Sequence, residues 1–106
     1  MTTPRPATEH GTFQTANASR YLQQLCKHFG HKLPVAFDET QGTITFPMGT
    51  ARLAATPEAL VVDFTVDDPE ARERARHVID KHLQRFAFRE GFEAMTWAAP
   101  AAQGPL

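Results

Sequence analysis

Cys26, His28 and His31 place a thiol and two imidazoles close together in the chain, and His82 supplies another imidazole from a distant segment. Thiolate and neutral imidazole are ligands for zinc and other borderline metals, so these four are the metal candidates. A transition metal is accordingly the one cofactor the sequence offers. Spacing works against it: on a helix Cys26 and His28 project about 160° apart, so a turn after Gly30 would have to bring His31 back. A buried cysteine beside surface histidines explains the same residues without a metal.

Proton transfer has two candidates, His82 and Tyr21. An imidazole titrates near neutrality and a tyrosine hydroxyl can relay a proton to it when a substrate lies between them. The competing reading is structural: His82 lies in an apolar helical stripe, where a neutral ring bonded to a backbone carbonyl or to Tyr21 would satisfy it. Arg85 and Arg89, four residues apart, could clamp a carboxylate or phosphate through their directional donors. Lys27, His28 and Lys32 would extend that basic surface if two helices adjoin, giving an acidic small molecule or a protein partner a docking place. Capping of a helix C-terminus, with an ion pair to Glu90, accounts for both arginines equally well.

The remaining charges narrow the field. Eleven Lys and Arg stand against twelve Asp and Glu, a formal net charge of −1, which opposes a general electrostatic attraction to nucleic acid or anionic membrane. Arg72, Arg74 and Arg76 do not share one helical face, so nucleic acid is not an expected partner. A single cysteine excludes an intramolecular disulfide, and the sequence has no apolar run of the roughly 20 residues that cross a bilayer. Both fit a cytoplasmic protein. Dinucleotide and phosphate-loop glycine motifs, zinc-ribbon cysteines, a nucleophile elbow and a calcium loop are all missing from the sequence.

Positioning these residues requires a core, and 106 residues suffice for one ordinary domain. The apolar spacing of Ala18, Tyr21, Leu22, Leu25, Cys26 and Phe29 predicts a helix over 18–29, with Asn17 as N-cap and Gly30 ending it at positive φ. Period-two alternation then predicts strands at 33–37, 43–46, around Ala51 and Leu53, and at 60–66, paired sequentially as an antiparallel meander. Asp68 and Pro69 start a second helix, predicted from Pro69 to about Phe88 with Ala75, Val78, Ile79, His82, Leu83 and Phe86 inward. A final strand is expected over Phe92–Trp97 and a short first one at Thr12–Gln14. The expected fold is α+β, a two-layer sandwich of a mainly antiparallel sheet of four to six short strands with two amphipathic helices on one face. Residues 1–10 are expected to be a flexible leader, 11–98 the single folded domain and 99–106 a flexible tail.

Several segments carry a family likeness. Ser19-Arg20-Tyr21-Leu22, Leu25-Cys26-Lys27-His28, His31-Lys32, His82-Leu83 and Arg85-Phe86-Ala87-Phe88-Arg89-Glu90 resemble bacterial domain-of-unknown-function family 2218. Phe37-Asp38, Gly42, Ile44, Ala55-Thr56-Pro57-Glu58 and Trp97 extend the likeness over nearly the whole expected body. The resemblance implies an uncharacterised small bacterial domain. Similar members occur joined to proteins resembling siderophore-interacting flavoproteins, which implies a link to iron or siderophore metabolism, but the resemblance transfers no catalytic residues. The leading expectation is a noncatalytic binding or accessory module for an acidic small molecule or protein partner. The alternatives are a small enzyme using His82 or Tyr21, and a structural domain that homodimerises through an open sheet face including Val61 and Trp97.

Overall fold

The structure is a computed structural model describing residues 7–98. Strand β1 (Ala7–Gln14) leads into helix α1 (Ala18–Phe29), followed by β2 (Val35–Phe37), β3 (Gln41–Phe46), β4 (Gly49–Ala55) and β5 (Ala59–Val66). A short 3-10 turn, Pro69–Ala71, opens helix α2 (Arg72–Phe86); a second one, Phe88–Glu90, precedes the two-residue strand β6 (Thr96–Trp97). The six strands form one antiparallel sheet in the order β2-β3-β4-β5-β1-β6. Both helices lie on the same face, so the α+β two-layer sandwich is the fold. No helix of the described residues is long and apolar enough to cross a membrane.

The core follows from alternation. Leu60, Val62, Phe64 and Val66 of β5 are fully buried beside Ala51 and Leu53 of β4 and Ile44 and Phe46 of β3. Above them α1 contributes Tyr21, Leu22, Leu25 and Cys26, and α2 contributes Ala75, Ile79 and Leu83. Residues spaced by three and four put these groups on one stripe of each helix, which is what a one-sided sheet needs as a cover.

The ends of the chain differ from expectation. The sequence predicts a flexible leader through residue 10, but Ala7–His10 are strand, paired with Asp63–Val66 of β5. The inward positions of this stretch are Ala7, Glu9 and Gly11, so a small residue, a carboxylate and a glycine stand where an alternating apolar signal is sought. β1 consequently sits between β5 and β6, outside the sequential meander. At the other end Phe92–Met95 makes no ladder; Thr96 and Trp97 alone pair with Thr12 and Gly11. Asp80 of α2 holds this segment instead, accepting from the Met95 amide and from the Trp97 indole, each at 2.9 Å. Trp97 packs over Gly11, on the helix-covered side, so it does not belong to the open face. Residues 1–6 of the expected leader and all of the expected tail, 99–106, lie outside the described residues.

Helix ends also depart in detail. Asn17 makes no side-chain cap, and Gly30 is right-handed at φ −63°, its amide bonding to the Cys26 carbonyl as the helix winds on. The second N-terminus is as expected: the Asp68 carboxylate accepts from the Glu70 amide at 3.0 Å with Pro69 at the first position. The helix expected to run unbroken from Pro69 to Phe88 opens with a 3-10 turn and is α-helical only over Arg72–Phe86, the second 3-10 turn following it.

Candidate functional site

Tyr21 reaches Glu90 while His28 reaches His82, so α1 and α2 run antiparallel and share a seam. At one end of it the rings of His28 and His82 are 4.7 Å apart, with Phe29 4.7 Å from His82 and Phe86 6.0 Å from His28. The Val78 carbonyl accepts a hydrogen bond from His82 Nδ1 at 2.7 Å. A carbonyl has no proton to give, so the neutral ring carries its hydrogen on Nδ1 and leaves Nε2 as the acceptor. This is the backbone bond expected for an imidazole in an apolar stripe. His28 is held below the usual imidazole range, first by partial desolvation and then by His82, Arg85, His31 and Lys32.

Beside the histidine pair, a groove of about 580 Å³ opens between the end of α1, the β3–β4 turn and α2. Phe29, Leu33, Phe46, Met48 and Val78 give it apolar walls, with Pro47 at the turn, while His28, His31 and Lys32 supply its polar edge. Among the described residues no carboxylate lines it. A concavity of this size and make-up is what a small organic ligand ordinarily occupies, apolar surface driving association and a few polar groups fixing orientation.

The other end of the seam is different in character. A cleft of about 440 Å³ is lined by Arg20, Tyr21 and Gln24 of α1 and by Arg85, Phe86, Phe88, Arg89 and Glu90, with Asn17 at its margin. Glu90 is expected to pair with its neighbouring arginines, but its carboxylate turns to the β1–α1 connection: Oε1 accepts from the Thr15 hydroxyl at 2.8 Å, and Oε2 from Asn17 Nδ2 at 2.9 Å and from the Tyr21 hydroxyl. These donors favour the ionised carboxylate, the Tyr21 bond most, and hold Glu90 below the ordinary range. Burial, then the Glu90 bond and charge, push the Tyr21 hydroxyl up to about 12. The hydroxyl is thereby committed to Glu90 and is not brought to His28 or His82, so the two proton-transfer candidates do not form a pair.

The metal candidates are likewise divided. Cys26 is fully buried against the sheet, close enough to Gly42 that a Cβ there would lie 2.7 Å from its sulfur. Burial pushes its thiol up to about 11, away from the reactive thiolate. His28 faces the seam from the opposite side of the helix. Among the described residues no three His, Cys, Asp or Glu side chains converge as a metal-holding group. The basic candidates separate as well: His28 and Lys32 edge the groove, Arg85 and Arg89 line the cleft, and Lys27 lies on a third recess with Val35 and Phe37.

The weakened acidity of Tyr21 and Cys26 has a consequence at high pH. Both groups ionise more easily in the unfolded chain, so each contributes stability that is intact below its unfolded value and lost as pH rises, from 9.0 to about 11 for Cys26 and from 10.0 to about 12 for Tyr21. Urea unfolding at stepped pH should therefore show a progressive fall above about pH 9, and Tyr21→Phe should flatten the part above about pH 10. An unchanged slope in that variant would mean Tyr21 ionises no differently in the folded chain.

The sequence reading missed two polar groups that the fold uses. Glu9 of β1 is 1% exposed and faces Arg76 and Arg72 of α2, and Asp80 fastens β6. The four-residue spacing of Arg72 and Arg76 is the available signal, but their partner lies within residues 1–10, which the sequence predicts to be a flexible leader.

A search of the curated proteins finds no match. Among solved structures, the NMR structure of PA4090 from Pseudomonas aeruginosa is similar at 30% sequence identity and a TM-score of 0.73, covering 89% of this chain and 97% of that one. A family model described as an uncharacterised protein conserved in bacteria matches residues 10–98, which takes in α1, α2, the histidine pair, the groove and the arginine cleft. The chain belongs to that family, DUF2218.

Proposed function

We propose that this domain is a noncatalytic binding module whose groove takes an organic carboxylate with a compact apolar body. The observation that carries this reading is the composition of the groove: apolar walls from Phe29, Leu33, Phe46, Met48 and Val78, edged by His28, His31 and Lys32 with no balancing acid among the described residues. Burying the ligand's body supplies affinity, at about 25 cal/mol per Å² of apolar surface removed from water. The basic edge selects an anion and orients it. The separation of Tyr21 from His82 favours binding over proton-transfer chemistry. A role in iron or siderophore metabolism would make an aryl carboxylate such as dihydroxybenzoate one natural ligand.

Calorimetric titration with naphthoate, set beside naphthyl methanol and dihydroxybenzoate, tests the reading. Naphthoate should bind about tenfold tighter than the neutral alcohol, the worth of a charge-assisted contact, and Lys32→Gln should remove most of that margin. Because His28 is held below 6.5, it gains its proton only as pH falls through and below that value, so carboxylate affinity should rise on acidification and His28→Gln should blunt the rise. Equal affinity for acid and alcohol, insensitive to Lys32, would defeat the proposal.

A further inference from the structure

The arginine cleft at the far end of the helix seam is a separate feature, and we infer that it binds a phosphoryl group, with Arg20, Arg85 and Arg89 as its ligands and Phe88 as a platform for an aromatic substituent. Ion pairs among the described residues engage His10, Arg72 and Arg76, leaving the three arginines of this cleft without a carboxylate partner. The cleft's acid, Glu90, has its oxygens occupied by Thr15, Asn17 and Tyr21. Glu90 therefore anchors the wall without satisfying the guanidinium donors, and the lining keeps an excess of positive charge.

Three guanidinium groups, from α1, α2 and the 3-10 turn that follows it, suit a multivalent anion better than a single carboxylate, because each planar fork offers directional donors to more than one oxygen. Phe88 adds a second observation. It is 64% exposed, the most exposed large apolar side chain of the described residues, and the Arg89 guanidinium lies 5.7 Å from its ring centroid. A cation over one part of an exposed ring presents an apolar surface next to a charge, the pairing an aryl phosphate would use. The same phosphoryl chemistry is offered by free phosphate and by a phosphate monoester, and Phe88 distinguishes them.

Calorimetry with inorganic phosphate and with phenyl phosphate, accompanied by amide-shift mapping on the intact chain, tests this inference. Both should bind saturably with shifts centred on Arg20, Tyr21 and Arg85–Glu90, and phenyl phosphate should bind about threefold tighter through ring contact. Arg20→Gln and Arg89→Gln should each lower affinity about tenfold. Phe88→Ala should erase the preference for the phenyl ester. Both arginines lie outside the lining of the naphthoate groove, so naphthoate binding should persist in the double variant, keeping the two sites experimentally distinct. Identical shifts produced by chloride at matched ionic strength, or undiminished phosphate affinity in the Arg20→Gln, Arg89→Gln protein, would overturn the site. Equal affinity for the two phosphates would overturn the place given to Phe88.

Discussion

Truncating both arginines that face Glu9, as Arg72→Ala with Arg76→Ala, is expected to cost about 3–5 kcal/mol of folding stability. Glu9 is 1% exposed on the inward face of β1, where Phe64 of β5 is its register partner. Arg76 Nε donates to Oε1 at 2.5 Å, while Arg72 Nε stands 3.5 Å from Oε2 as a charge neighbour whose geometry makes no hydrogen bond. The pair is thus unevenly shared. Arg76→Ala alone should carry most of the loss, and Arg72→Ala should cost about 1 kcal/mol.

The large effect comes from what remains, because deleting the arginines leaves an uncompensated carboxylate, 1% exposed, on the inward face of the sheet. Both guanidinium side chains are about one third exposed and can rehydrate when Glu9 is removed, so Glu9→Leu in the wild-type background should be milder than the double arginine variant. Adding Glu9→Leu to that double variant should restore much of the stability. Urea midpoints at neutral pH compare these five variants with the wild type. A loss below about 1 kcal/mol in the double variant would mean that water reaches Glu9 and that the arginines do not permit its burial.

This latch also shows where the sequence was opaque. Helix α1 was legible to its ends, 18–29, and the alternation of β5 was plain, because in both segments the buried positions are apolar at the period of the element. Of β1 only Thr12–Gln14 was legible, since the inward face of the rest is written with Ala7, Glu9 and Gly11, and the arginines that make a buried glutamate acceptable stand more than sixty residues later. β6 was overdrawn because Phe92, Ala94 and Thr96 alternate, although Phe92 and Met95 are buried without strand pairing and Asp80 fixes the segment. Asn17 and Glu90 each had a sound local role open to them, as helix cap and as arginine partner. The fold spends both on one contact between the ends of antiparallel helices.

The candidate site was legible to the same degree. His28, His31 and Lys32 stand together in the chain at the end of a helix, and their basic character could be read directly. The apolar walls could not, because Phe46 and Met48 arrive from the β3–β4 hairpin and Val78 from α2. Cys26 looked like a companion to His28 by sequence proximity alone. Helical phase sends the thiol into the core and the imidazole to the seam, so the linear cluster contained two separate roles.

The hairpin that supplies the groove depends on Gly49, and Gly49→Ala is expected to cost about 3 kcal/mol, at the upper end of ordinary single substitutions. Phe46 and Gly49 close the β3–β4 ladder around Pro47 and Met48, and Gly49 is also the register partner of Val66 in β5. Its φ is +156°, and a Cβ would lie 2.1 Å from the Thr65 carbonyl oxygen and 2.8 Å from Val66 Cα. Those are backbone atoms of a central strand, which cannot swing aside as a side chain would; relief requires β4 to part from β5 at this end. Gly91 provides the comparison, with φ +70° but nothing within 4 Å of its absent Cβ, so Gly91→Ala should cost about 1 kcal/mol for backbone conformation alone. Opening β4 would carry Met48 and Pro47 away from Phe29 and Val78, so the Gly49 variant should lose naphthoate affinity while the Gly91 variant keeps it. Equal midpoints for the two variants in urea would show that the hairpin yields freely, and the groove would then have no rigid wall on that side.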